Sequence, residues 1–159
     1  MDLFLINPDL KNKMILQIIF AWIYSHIFEY VSHKYFLHNH RRFLFAFKNH
    51  FGKHHKISRK NEMKDDSYKN ILSSRFEIYS LLAVSLIHLP VVFFFPAAYV
   101  TLVFCLLMYY FIHRKSHTDI VWGKKWLPWH YAHHMGIDQH KNWGVRLPII
   151  DIIMKTSDF

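Results

Sequence analysis

Apolar positions along the chain gather into three blocks, separated by basic stretches that carry most of the histidines. Met14 to Tyr30 (MILQIIFAWIYSHIFEY) is the first block. With its flanks it approaches the ~20 residues that a membrane-spanning helix needs. It predicts a helix that runs on into His33 and His38. His26 and Glu29 interrupt its second half, and ionisable groups at that depth face a protein interior rather than lipid. His26 is expected to make a hydrogen-bonded contact between helices. Phe76 to Leu89 and Ala97 to Ile112 are the other two blocks, divided by Pro90-Val-Val-Phe-Phe-Phe-Pro96. Proline breaks a helix, so the pair predicts a hairpin, with arms short for a hydrocarbon core of ~30 Å. Whether it spans or dips, a hairpin returns the chain to the side it left.

Charge divides the chain in the same places. Residues 41–75 hold ten Lys or Arg against three acids, residues 76–112 hold one charged side chain, Glu77, and residues 113–159 hold seven more Lys or Arg. The run RRFLFAFKNHFGKHHK mixes Phe with Lys and Arg, as a helix lying in a membrane interface does. The basic excess predicts a cytoplasmic side, with Arg41–Arg75 and everything from His113 onward on one positive face. The expected fold is one all-α integral membrane domain over residues 1–159. It has about three apolar segments, one helical hairpin and a histidine-rich cytoplasmic cap of short helices.

Composition narrows the class further. The 159 residues are 52% hydrophobic and 18% aromatic, more apolar surface than a soluble domain of this size can hide. A net charge of +9 would suit nucleic acid. The charge-free block and the lack of a nucleic-acid-binding motif point instead to a membrane and exclude nucleic acid as the partner. Cys105 is the only cysteine, so neither a disulfide within the chain nor a cysteine-bound iron–sulfur cluster can form. Met1 to Lys13 lacks the order of a cleavable signal peptide. No endoplasmic-reticulum retention signal is visible, and a bacterial inner membrane is the expected location.

Ten of the fourteen histidines fall in four clusters: His33 and His38; His50, His54 and His55; His113 and His117; and His130, His133 and His134. Imidazole is the commonest transition-metal side-chain ligand, and an all-nitrogen set suits iron, zinc or copper. Ten exceed the four ligands of a structural zinc site and would serve two metals with about five nitrogens each. Helical geometry places His113 with His117, His130 with His133 and His134, and His50 with His54 on shared faces. His33 and His38 lie about 140° apart on a regular helix, so they serve different metals or sit on a distorted turn. The neighbours His54/His55 and His133/His134 are expected to send one ring to each of two adjacent metals. His40 and His88 fall outside the clusters and are read as ordinary polar residues. Trp122, Trp126, Trp129 and Trp143 are read as interfacial anchors. No Ser–His–Asp arrangement or glycine-rich phosphate loop is present.

Taken together, HKYFLH, the His54-His55 pair, HRKSH and HYAHH resemble the fatty acid hydroxylase superfamily of membrane di-iron enzymes. That superfamily includes fatty-acid 2-hydroxylases, sterol desaturases and, more distantly, carotenoid hydroxylases. Asn142 to Asp151 (NWGVRLPIID), ending near Thr156, is similar to the family's tail motif, and the resemblance covers about residues 20–156. It implies that His33, His38, His50, His54, His55, His113, His117, His130, His133 and His134 hold two iron ions, with zinc as an alternative occupant. His140, Asn142 and Asp151 are candidates to support them from outside.

The resemblance further implies O₂-dependent hydroxylation of a membrane lipid, of fatty-acyl or related type, with electrons from an external redox partner. Carotenoid hydroxylation and sterol desaturation are the family alternatives. A non-catalytic protein that binds or transports transition metal is the alternative from another class. Two features depart from the family pattern. Its second motif is HxxHH, whereas here the spacing from His50 is HxxxHH, so either a bulged turn brings His50 in or one metal has a ligand fewer. Family members also have four membrane helices, against three candidates here.

Overall fold

The computed structural model describes residues 7–70 and 74–159, and no strand occurs among them. In chain order the helices are α1 (Pro8–Ser32), α2 (Leu44–Asn49), α3 (Lys56–Lys60), α4 (Arg75–Ile87), α5 (Val91–Phe94), α6 (Pro96–Thr118), α7 (Ile120–Trp126), α8 (Pro128–Met135) and α9 (Ile149–Ile153). π-Helical turns follow α1 (His33–Leu37) and α2 (His50–His55), and a 3₁₀ turn covers Asp66–Tyr68.

Helix α1 begins on a clear signal. The Asn7 side chain accepts the Asp9 N–H at 2.9 Å, Pro8 fills the first turn, and Asp9 complements the dipole. The helix runs unbroken through its π turn to give a 30-residue rod, Pro8–Leu37. Helix α6 starts on Pro96 and continues past the predicted end at Ile112, so His113 and His117 lie on its last turns. These two helices are long and apolar enough to cross a membrane. Helix α4 has 13 residues and is about 20 Å long. Of the three predicted segments, then, two have spanning length and the first arm of the hairpin reaches only part of the way.

Helices α1 and α6 run parallel. The Ala97 N–H donates to Gln17 Oε1 at 3.1 Å near one end, and His33 and His113 both lie at the other. From Gln17 to His33 and from Ala97 to His113 is the same sixteen residues, a rise of about 24 Å. Helix α4 runs back between these levels, and its end is fixed by His88. The His88 Nδ1–H donates to the Val84 carbonyl at 2.8 Å, which leaves Nε2 to accept from Tyr24 Oη at 2.9 Å.

This shaft (α1 with α4–α6) turns its large apolar side chains outward: Phe20, Leu86, Phe93 and Val100 are each more than 60% exposed. Inward it buries Ala21, Ser25 and Glu29, a stripe at spacing four. Glu29 faces the interior, as its depth predicts. It accepts the backbone N–H of Val145 and of Arg146 and pairs with Arg146 Nε at 2.6 Å, while Arg146 also donates to Ser25 Oγ at 3.0 Å. His26 is buried edge-on against Trp22, but its Nε2 has no hydrogen-bond partner, so the predicted pairing does not form at that atom.

The remaining elements form the cap at the end where α1 and α6 finish. Asp119 caps α7 by accepting the Trp122 N–H at 3.0 Å, and Pro128 opens α8. A strap, residues 143–146, closes the cap over α1. Its four successive N–H groups go to two buried carboxylates, Trp143 and Gly144 to Asp151, Val145 and Arg146 to Glu29. Gly144 is required at that approach, because a Cβ there would strike the Leu147 carbonyl and come within 3.2 Å of Asp151 Oδ2.

Candidate metal centre

The cap brings the clustered histidines into two buried groups. His33, His38, His50, His55 and His133 each place one ring nitrogen within 4.8 Å of the others, and His54, His113, His117 and His134 do the same. His55 and His134 stack at 4.1 Å between ring centroids, so the groups share a wall. His54/His55 and His133/His134 are split between them, one neighbour to each group. His130 belongs to neither set by that distance, but its Nε2 lies 3.4 Å from His117 Nε2, beside the second group. His40 is exposed, and His140 is an exposed ring stacked on Phe51 outside both groups.

Two π turns account for the irregular spacings. A π turn closes its hydrogen bond over five residues rather than four, so residues i and i+5 come onto one side. The His38 N–H bonds the His33 carbonyl at 3.2 Å, and the two imidazoles enter the same group. The alternative in which they serve different metals is therefore corrected. His50 and His55 are joined in the same way across His50–His55, with their Nε2 atoms 3.2 Å apart. The expected face shared by His50 and His54 is also corrected: His50 goes with His55, and His54 joins the other group. The extra residue in HxxxHH is absorbed by the π turn, which brings His50 in.

Outer hydrogen bonds set the tautomers. The His33 Nδ1–H donates to the Trp143 carbonyl at 2.6 Å and that of His133 to the Lys141 carbonyl at 2.6 Å. His54 donates to Asp65 at 2.9 Å, His113 to Glu77 at 2.7 Å and His117 to the Met63 carbonyl at 2.7 Å. A carbonyl or carboxylate oxygen only accepts, so Nδ1 carries the proton and Nε2 keeps its lone pair. Those lone pairs face one another. The Nε2 atoms of His33 and His50 are 2.9 Å apart, and those of His113 and His117 are 3.2 Å apart. The Nε2 atoms of His54, His133 and His134 are buried without any partner. Converging, unsatisfied acceptors are costly in a buried site, and a cation at the centre of each group satisfies them. These clusters could hold a metal ion.

Burial is the main force on their protonation. It lowers the pKa of His50, His55, His130 and His134 well below the usual imidazole value, with neighbouring rings adding to the effect, and lowers that of His133 to about 3. All stay neutral and ready to ligate. Burial pushes the Asp65 carboxyl up, but hydrogen bonds from His54 and Ser67 outweigh it and hold the carboxyl below its ordinary range.

The supporting residues differ from those expected. Asp151 acts at one remove, by holding the strap whose Trp143 carbonyl orients His33. Asn142 pairs with the backbone of Asp158 and so fixes the chain between Lys141 and Trp143, whose carbonyls orient His133 and His33. Asp65, Glu77 and the carbonyls of Met63, Lys141 and Trp143 do the orienting. Glu77 was visible as the single charge in residues 76–112, and Asp65 as an acid in a basic run. Trp143 is not an interfacial anchor: it is 2% exposed, and its ring packs against His33, His38 and His133. Trp126, more than half exposed, keeps the surface position expected of it.

A cleft of about 470 Å³ reaches the first group, lined by Lys34, Tyr35, His38, Arg41, His140 and Trp143 among others. A larger apolar groove, about 710 Å³, lies along the shaft beside Gln17, Tyr24 and His88, away from the histidines. No family model matches the chain, and neither does any curated protein or solved structure.

Proposed function

We propose that the chain is a membrane oxygenase that uses two irons and O₂ to hydroxylate a C–H bond of a lipid, fatty-acyl or related in type. The observation that carries this reading is the pair of adjacent, all-imidazole groups whose ring nitrogens converge, with the Nε2 atoms of His54, His133 and His134 buried without a partner. His33, His38, His50, His55 and His133 would hold one iron. His54, His113, His117 and His134, with His130 alongside, would hold the other. With both irons bound, the centre would supply the reduction of O₂ that makes an unactivated C–H bond attackable. Overall, R–H, O₂, two electrons and two protons give R–OH and water, the electrons coming from a reduced protein partner.

The chain's own residues fix ring tautomers through the carbonyl and carboxylate partners, keep water from the buried rings, and leave the cleft at His38 as the approach. Lys34 and Arg41 there suit a polar or anionic head group. Two apolar helices ending at the centre suit a substrate drawn from the bilayer, with the basic cap on the cytoplasmic side.

The test is elemental mass spectrometry on detergent-purified protein beside a His133→Ala/His134→Ala variant, which removes one ring from each group, followed by ¹⁸O₂ labelling of lipid extracts. About two metals per chain, lost in the variant, with label in a lipid alcohol, is the expected result. Two metals with no label in any lipid would favour the metal-binding alternative. Metal content indifferent to the variant would overturn the site.

A further inference from the structure

We propose that the two metal positions are unequal by construction and fill in order, the His54/His113/His117/His134 position before the His33/His38/His50/His55/His133 position. The inference rests on the two-metal reading above and adds to it a role for Asp65 and Glu77.

The difference lies in what stands behind the rings. In the second group two imidazoles donate to carboxylates, His54 to Asp65 and His113 to Glu77. Both acids are largely removed from water, with side chains 3% and 12% exposed. In the first group the partners are neutral: the Trp143 and Lys141 carbonyls, and the Gln139 amide 3.1 Å from His55 Nδ1. Neutral imidazoles leave the full double charge of a divalent ion in place. Two carboxylates one ring away balance it at the second position; none stands that close at the first, where Asp151 acts only through the Trp143 strap and the charged side chains of the cleft are Lys34 and Arg41. A buried ion without a counter-charge is costly. An imidazole that donates to a carboxylate is also a more basic ligand than one that donates to a carbonyl.

Ligand number pulls the other way, five rings against four. His130 narrows that gap, since its Nδ1 is buried and unpartnered and its Nε2 lies beside His117. Two full charges outweigh one additional neutral ring, so the second position is the tighter. The looser first position is also the one the cleft reaches. The exchangeable metal and the approach of an outside molecule thus fall on the same side of the pair.

The experiment uses the full chain in detergent, stripped with a chelator and titrated without oxygen with Co(II), followed by its visible absorption and by elemental analysis. Repulsion between neighbouring ions gives two phases in any paired site, so variants make the assignment. In wild-type protein two equivalents bind in two phases. Asp65→Asn and Glu77→Gln each weaken the tighter phase, by about 10–100-fold, and leave the looser one in place, which also shows that the variant is folded. His133→Ala removes the looser phase only. Two equivalents in a single phase, or carboxylate variants that weaken the looser phase or both phases alike, overturn the ordering and leave the two-metal reading intact. Saturation at one equivalent or less in the wild type overturns that reading, and the ordering with it.

Discussion

The shaft and the cap arrange polar and apolar side chains in opposite senses. Along the shaft Phe20, Leu86, Phe93 and Val100 face outward, and the polar Ser25 and Glu29 face inward. In the cap the buried side chains are mostly imidazoles, with Ser58, Asp65, Asn142 and Asp151 among them. Among the described residues, Met63, Tyr68, Leu127, Trp143 and Val145 are the cap's larger buried apolar contributions. An outer face of that kind is stabilised by an apolar surrounding, and two of the shaft's helices are long and apolar enough to cross a membrane. The cap has little hydrophobic interior and depends on satisfied hydrogen bonds and on what the rings bind.

Removing metal should separate the two regions most clearly. After chelation, amide exchange across residues 50–60 and 128–146 should quicken by about 100-fold, the mass-action effect of a ligand held at 100 times its dissociation constant. Exchange in the apolar lengths of α1 and α6 should hardly change. Equal acceleration in both regions would mean that shaft and cap form one cooperative unit.

The Glu29–Arg146 pair sharpens the contrast, because it joins the two regions. Glu29→Ala leaves a buried guanidinium without its counter-charge and should cost roughly 3–5 kcal/mol. Phe93→Ala, at a side chain 79% exposed, should change stability in detergent by about 0.5 kcal/mol or less. Thermal unfolding of the two variants against wild type measures both. A smaller loss for Glu29→Ala than for Phe93→Ala would show that lipid-facing packing, not the strap, holds the cap in place.

Acid adds a third contrast. His133 is held neutral, its pKa lowered from 6.5 to about 3 by burial, so below pH 6.5 the unfolded chain takes up a proton that the folded chain refuses. Its stabilising contribution is complete above that value and is lost progressively down to about pH 3. In metal-free protein this ring alone should cost about 2 kcal/mol between pH 7 and pH 5. The loss should be about 2 kcal/mol smaller in His133→Ala, because the other buried rings still resist protonation, and the difference should be visible in the unfolding temperature across that range.

How far this arrangement was legible in the sequence differed between the two regions. The apolar runs and the prolines marked the shaft and its hairpin, because they act through local chemistry. The split of His54/His55 and His133/His134 between two groups was also legible, since adjacent side chains on a helix must diverge. The partnership of His50 with His55 was not. It depends on a π turn, for which the sequence carries no separate signal, and regular helical geometry pairs His50 with His54 instead. Glu77 was visible as an isolated acid and Asp65 as one of a pair in a basic run, yet their roles follow from contacts across 11 and 36 residues that no spacing rule reaches. Trp143 was misread for a similar reason: its burial comes from a strap anchored by two carboxylates, one of them, Glu29, 116 residues from Val145.

The π turn at His50–His55 has a consequence for how such a centre can change over time. A π turn is an α-helix with one residue inserted. Deleting one residue among 51–53 would return the segment to α-helical pitch and convert HxxxHH into HxxHH, with the first and last imidazoles still on one side. The segment upstream would turn by about 100°, a rotation that the irregular stretch before α2 is placed to absorb. The written motif and the set of rings it supplies can therefore drift apart by single-codon steps. Two chains with different histidine spacings can then build the same centre.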